Sequence, residues 1–194
     1  MFRERGFSET GMRDIAAAAD LSPADLYHYF HGKDEILYYC QDRTLARLMA
    51  AVEAARRTTP RAADRLRLVL EAHVHTMLDE VEGATAHLQT EALSPVVRAR
   101  LVRKRDRYER AVRQIIAEGV RAGDFIAMDA ALVARAMLGA VNWTATWFRP
   151  DGPRPADAVG HAIARFLVRG VASRSPAARR PLSLVSAPVP DRRR

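Results

Sequence analysis

Apolar residues return every three or four positions along most of this chain. Alternating apolar and polar runs of the kind that build strands are missing, as is an Asn-Gly hairpin turn. The pattern predicts an all-α protein without internal repeats. Met12 to Ala19 and a segment opening at Pro23 read as two short helices around the turn Asp20-Leu21-Ser22. Lys33 to about Arg57 reads as one long helix, with Asp34 and Glu35 at the positive end of its dipole and Thr58-Thr59-Pro60 to end it. Ala62 to about Glu82 follows, closed near Gly83, then a short helix from about Ala84 to Leu93. Ser94-Pro95 places a cap and an N1 proline before a helix reaching about Ala122, where Gly123 is the expected left-handed stop. Asp129 caps a helix ending near Phe148. Arg149-Pro150-Asp151-Gly152-Pro153 is a turn, and a last helix covers about Pro155 to Arg169.

The stretch TGMRDIAAAADLSPADLYHYF, Thr10 to Phe30, carries the most information. Two helices that cross at a steep angle need a small residue where they meet, and Ala16 supplies it. The turn needs one residue at positive φ, a conformation Asp tolerates, and Asp20 falls there. Leu21 is expected to bury, Ser22 to accept a bond from a free amide of the second helix, and Pro23 to open that helix. Ile15, Ala19, Leu26 and Phe30 have the spacing of a shared core, and Tyr29, like Phe30, is expected to pack rather than touch DNA. The outward set is then Ala24, Asp25, Tyr27, His28 and His31. An ordinary helical hairpin would show many of the same features; a DNA-reading helix-turn-helix is the reading favoured here.

Charge does not make that argument. The 194 residues carry +8 overall, but residues 1–43 hold five basic and eight acidic residues, a net −3. Residues 173–194, with six arginines and one aspartate, read as a disordered basic tail. No opening apolar run suggests a signal peptide and no stretch is long enough to span a membrane, so a cytoplasmic, nucleoid-associated location is expected. Cys40 is the only cysteine and is read as inert packing.

GFSETGMRDIAAAADLSPADLYHYFHGKDEIL strongly resembles the DNA-binding segment of TetR-type transcriptional regulators. The matching residues are Gly6-Phe7, Thr10, Ile15-Ala16, Leu26-Tyr27, Phe30, Lys33 and Ile36-Leu37. The resemblance implies a helix-turn-helix DNA-binding domain over 1–44 and a helical ligand-binding and dimerisation domain over 45–172, followed by the tail at 173–194. It also implies roles: Thr10, Tyr27 and Lys33 on phosphates, Ser22 at the start of the recognition helix, and Ala24, Asp25 and His28 toward base edges. The family usually has Gly at the position of Ala24 and a small or hydroxyl residue at that of Asp25, so the operator sequence stays open. Most of the family's first helix would precede Met1. The expectation is a weakened DNA-binding domain or a start upstream.

In the larger part, no nucleophile elbow, phosphate loop or cysteine-histidine metal spacing is found, and no catalytic residue, cofactor or metal is expected. His73 and His75 are two apart and point to different sides of a helix, a poor chelate. His87 and Glu91, at i and i+4, are read as polar lining of a cavity or as surface, with a shared metal as the alternative. The basic run from Arg98 to Arg113 is a solvated face or a contact for an anionic ligand. Asn142-Trp143 and Trp147-Phe148-Arg149-Pro150-Asp151-Gly152 resemble a TetR-type subgroup that controls breakdown of fatty acids, aromatic acids and steroids. That resemblance implies a hydrophobic acid or acyl-CoA effector near His87, Glu91, Asn142, Trp143 and Trp147. Val159, Ile163, Phe166, Leu167 and Gly170, with Ala136, Gly139 and Ala140, are expected to pair the last two helices with those of a second copy. The partners are thus operator DNA, a second copy and a small effector, with repression relieved by ligand. A helical enzyme built on His87 and Glu91, and a ligand-binding protein that has lost its DNA head, are the rival readings.

Overall fold

The computed structural model describes residues 7, 9–78 and 93–173. Seven helices lie among them: α1 (Met12–Ala18), α2 (Pro23–Tyr29), α3 (Lys33–Thr58), α4 (Ala62–Leu78), α5 (Pro95–Ala122), α6 (Ala130–Trp147) and α7 (Ala156–Val171). The expected short helix near 84–93, the tail beyond Ser173, and the end of the chain's second long helix past Leu78 lie outside the described residues. None of the described helices is long and apolar enough to cross a membrane.

Local chemistry sets the helix ends. Asp20 takes φ 57°, the one non-glycine at positive φ among the described residues, and it turns the chain between α1 and α2. Ser22 Oγ accepts the Asp25 amide at 3.1 Å, capping α2 ahead of Pro23. Gly123, at φ 77°, ends α5. Asp129 accepts the amides of Ala131 and Leu132 at 2.8 and 3.2 Å; these bonds hold its carboxyl below the usual range. Ser94 occupies the cap position of α5 but its side chain makes no capping bond, which leaves Pro95 to pre-set that helix start.

The head formed by α1 and α2 has a small core of its own. Ala16, Leu26 and Ile36 are buried, with Met12, Ile15, Phe30 and Cys40 packed around them. So small a core covers one stripe of a seven-residue helix. Leu21, Ala19 and Tyr29, all expected inside, are exposed, Tyr29 at 69%. Leu21 is held outward because its amide bonds the Ala16 carbonyl at 2.9 Å, closing the α1 turn. Tyr29 sits on the flank of the Leu26 stripe with its ring edge against His28.

In the body, α4 is the hub: Leu66, Val69, Leu70 and Val74 are wholly buried, and it packs against α3, α5, α6 and α7. Its contact with α7 is close at Gly160, where a Cβ would stand 3.5 Å from the Glu71 carbonyl and from Val74. After Gly123 the chain folds Phe125 under α5. A Cβ on Gly119 would fall 2.2 Å from the Phe125 ring, so this position has to be glycine. The link is pinned by the amides of Ile126 and Ser173, which bond Val171 and Asp124 carbonyls at 3.0 and 2.9 Å. The expected dimer stripe on α7 divides. Val159 is buried in the core, Ile163 and Leu167 are half-buried, and Phe166 and Gly170 face out. The reason is that α4 covers one side of α7, and the opposite side stays exposed.

Candidate functional site

Two sites emerge, joined by one helix. In the head, the cap and the turn present α2 outward: Ala24, Asp25, Tyr27, His28, Tyr29 and His31 are all exposed. Ser22 and Asp25 are engaged with each other, the Ser22 hydroxyl donating to the Asp25 carboxylate at 2.7 Å. Thr10 is buried. The Lys33 ammonium, at the start of α3, donates to the carbonyls of Phe7 and Thr10 at 2.8 and 3.3 Å and stands 4.6 Å over the Phe7 ring. Lys33 therefore ties the entry of the head to α3.

The second site is a cavity of about 290 Å³ between α3, α4, α5 and α6. Leu45, Leu48, Met77 and Leu138 form its apolar wall. A hydrogen-bonded chain crosses it: Tyr108 Oη lies 3.1 Å from His73 Nδ1, and His73 Nε2 lies 3.1 Å from Asn142 Oδ1. If Asn142 Oδ1 is the acceptor, His73 carries its proton on Nε2, and the Tyr108 hydroxyl donates to Nδ1. Burial lowers the His73 pKa to about 4, against the opposing effect of Asn142, and burial pushes the Tyr108 hydroxyl up. The chain is neutral at pH 7. Arg105, its pKa lowered by burial, donates to Gln41 at 2.9 Å beside it. Glu109 Oε1 is buried with no hydrogen-bond partner among the described residues; Arg135 Nε is 3.8 Å away. One apolar and one polar wall, the latter with Arg105, Asp106 and Glu109, are the makings of a site that can orient a small ligand.

Of the residues that sequence pointed to, Asn142 lines this cavity. Trp143 is 66% exposed on the outer side of α6. Trp147 borders a separate cleft of about 300 Å³ with Phe148, Arg149, Arg154 and Ile163. His87 and Glu91 lie outside the described residues. His73 and His75 do point apart: His75 is exposed, 3.1 Å from Asp157. His73, Tyr108, Glu109, Arg105 and Gln41 were not anticipated as a group. A histidine at an inward position of an apolar helix, and a lone tyrosine within an arginine run, were the available signals. Among the described residues no cluster of three or more His, Cys, Asp or Glu could hold a metal.

Residues 1–40 match the model of bacterial regulatory proteins of the tetR family, and residues 59–171 match a tetracyclin repressor-like C-terminal domain. The chain belongs to the TetR family. This TetR-family member is a DNA-binding transcriptional regulator. It is similar to PfmR from Thermus thermophilus, with 38% identity, TM-score 0.79, and 87% of this chain and 92% of that one covered. It is 28% identical to the HTH-type transcriptional repressor KstR2 of Mycobacterium tuberculosis, over 88% of this chain and 87% of that protein. It also shares its fold with AibR, solved in complex with isovaleryl coenzyme A and operator DNA (23% identity, TM-score 0.74, 88% and 91% covered).

Proposed function

We propose that this regulator is a homodimeric repressor that leaves its operator when a hydrophobic acid or its acyl-CoA thioester enters the body. The observation that carries the reading is α3 itself. Its first turns hold the head through Lys33 and Ile36, and its middle lines the cavity through Leu45 and Leu48. A ligand that favours one setting of α3 then favours one spacing of the two heads, and two recognition helices must be about one DNA turn apart to enter successive major grooves.

In this reading Tyr27 and the base-facing Ala24, Asp25 and His28 meet DNA, with Ser22 ordering the helix start and Thr10 and Lys33 steadying the head from within. Asn142 orients the acyl carbonyl or its neighbour by way of His73 and Tyr108, while Trp147 borders the outer cleft. His87 and Glu91 remain candidates for the ligand's remaining contacts. The effector class rests on the Asn142-Trp143 and Trp147 to Gly152 motif and on the apolar wall of the cavity, beside which the Tyr108-His73-Asn142 chain is neutral and Arg105, Asp106 and Glu109 carry charge.

Dimerisation is supported by the outer side of α6 and α7. Leu132, Trp143 and Phe166 are 66%, 66% and 74% exposed there, beside exposed Ala136, Ala140, Gly139 and Gly170. A Cβ on either of those glycines would meet nothing within 4 Å, room that a second backbone can fill. The test is a gel shift with DNA from the protein's own promoter, with and without medium- and long-chain acyl-CoA, paired with sedimentation at micromolar concentration. A dimer whose shift is abolished by acyl-CoA is the expected result. A shift that acyl-CoA leaves intact removes the effector class, a monomer removes the dimer, and no shift removes the operator.

A further inference from the structure

DNA affinity is dominated by cations that displace counterions from phosphates, yet the DNA-binding segment of this chain is net acidic. Two of its five basic residues are also occupied: Lys33 by backbone carbonyls, and Arg43 by Tyr39, 3.2 Å from its hydroxyl. The missing positive charge is found on another element. Residues 98–107 of α5 hold Arg98, Arg100, Arg103, Lys104, Arg105 and Arg107 against the single acid Asp106.

The direction of α5 decides what this run faces. Lys104 bonds Asp42 and Arg105 bonds Gln41, while farther along both helices Arg56 of α3 bonds Gln114 of α5 at 3.2 Å. The two helices thus run parallel, and the N-terminal end of α5 points toward the head. From Lys104 back to Arg98 is six residues, or about 9 Å of helix, which covers most of the roughly 13 Å from Asp42 to the start of α3. Arg98, Arg100 and Arg103 are exposed there, and no carboxylate pairs with them among the described residues.

We infer that the exposed arginines at the start of α5 form a second phosphate-facing surface, supplying from the ligand-binding domain the positive field that the helix-turn-helix lacks. The inference rests on the proposed operator binding. Being carried by the domain that holds the cavity, this surface gives α5 a direct part in affinity, and bases are read elsewhere.

The experiment is operator binding by the full chain at several KCl concentrations, for the unsubstituted protein, Arg100→Gln/Arg103→Gln, and the charge-matched Arg110→Gln/Arg121→Gln farther along the same helix. Circular dichroism confirms that each is folded. Each phosphate contact contributes about 0.9 to the slope of log K against log salt, so two arginines in each of two subunits predict a slope shallower by about 2 to 4 for the first variant. The control variant should keep the original slope. Equal slopes for all three proteins would overturn the inference while leaving operator binding intact. So would an unchanged slope accompanied by weaker binding of acyl-CoA, which would assign the arginines to the effector's phosphates. Failure of the unsubstituted protein to bind DNA would instead remove the operator reading on which the inference stands.

Discussion

Acidification should weaken this fold through one side chain. His73 is buried and hydrogen-bonded on both ring nitrogens, and its pKa is lowered from 6.5 to about 4. An unfolded chain protonates that histidine near pH 6.5, whereas the folded chain holds it neutral until about pH 4. Between those values the unfolded state binds the extra proton, so stability falls as pH falls, by about 1.4 kcal/mol per unit. The contribution is present in full well above pH 6.5, is reduced by about 2 kcal/mol at pH 5 and by about 3 kcal/mol at pH 4, and levels off at a loss of roughly 3.4 kcal/mol about a unit lower. His73→Gln keeps a donor for Asn142 and an acceptor for Tyr108 but cannot titrate. Urea unfolding followed by circular dichroism at pH 7.5, 6 and 5, with both proteins held at one concentration because self-association of any kind shifts the midpoint, compares the two chains. The exposed His28, His31, His75 and His161 are common to both and cancel in the difference. The Gln variant should start less stable at pH 7.5 and close the gap by about 2 kcal/mol at pH 5. Parallel pH profiles would refute the account, since they would mean that His73 titrates alike in both states.

Three further outcomes follow from the geometry. Asp20→Gly should raise stability by about 0.5–1 kcal/mol, seen as a higher Tm, because glycine adopts φ 57° without the Cβ conflict; a lower Tm would show that the aspartate side chain stabilises the turn. Gly119→Ala should cost about 1–3 kcal/mol in the same thermal melt, because the new methyl would overlap the Phe125 ring; Phe125→Leu in the same chain should recover part of the loss. Lys33→Met should weaken operator binding by about tenfold or more through the loss of charge-assisted bonds of about 1.5–3 kcal/mol, while effector binding measured by calorimetry stays unchanged. Unaltered operator affinity would show that the Lys33 ties do not order the head.

Much of the architecture was legible because it is decided locally. Asp20 before Leu21-Ser22-Pro23, Gly123 after a long helical run, and Asp129 ahead of another each act within a few residues. The sterics of φ and the reach of a short side chain to the next free amide are properties of those residues alone. The helix periods were legible for the same reason, as was the placing of His73 and His75 on opposite sides of α4. The sequence alone could not say which face of a helix finds a neighbour. Leu21 is as apolar as Leu26 and Tyr29 offers a large ring, but the head is too small to cover them. Val159 and Phe166 share one stripe by spacing, yet α4 covers the first and leaves the second bare. Likewise, His73, Tyr108 and Asn142 come from three helices and stand 35 and 69 residues apart in the chain. Burial and hydrogen bonding turn these ordinary side chains into a neutral polar wall, and both exist only once the helices have packed, as does the parallel course of α5 that carries its arginines to the head. What is set by near neighbours was determined by the sequence itself; what depends on which distant surfaces exclude water together was decided by the tertiary structure.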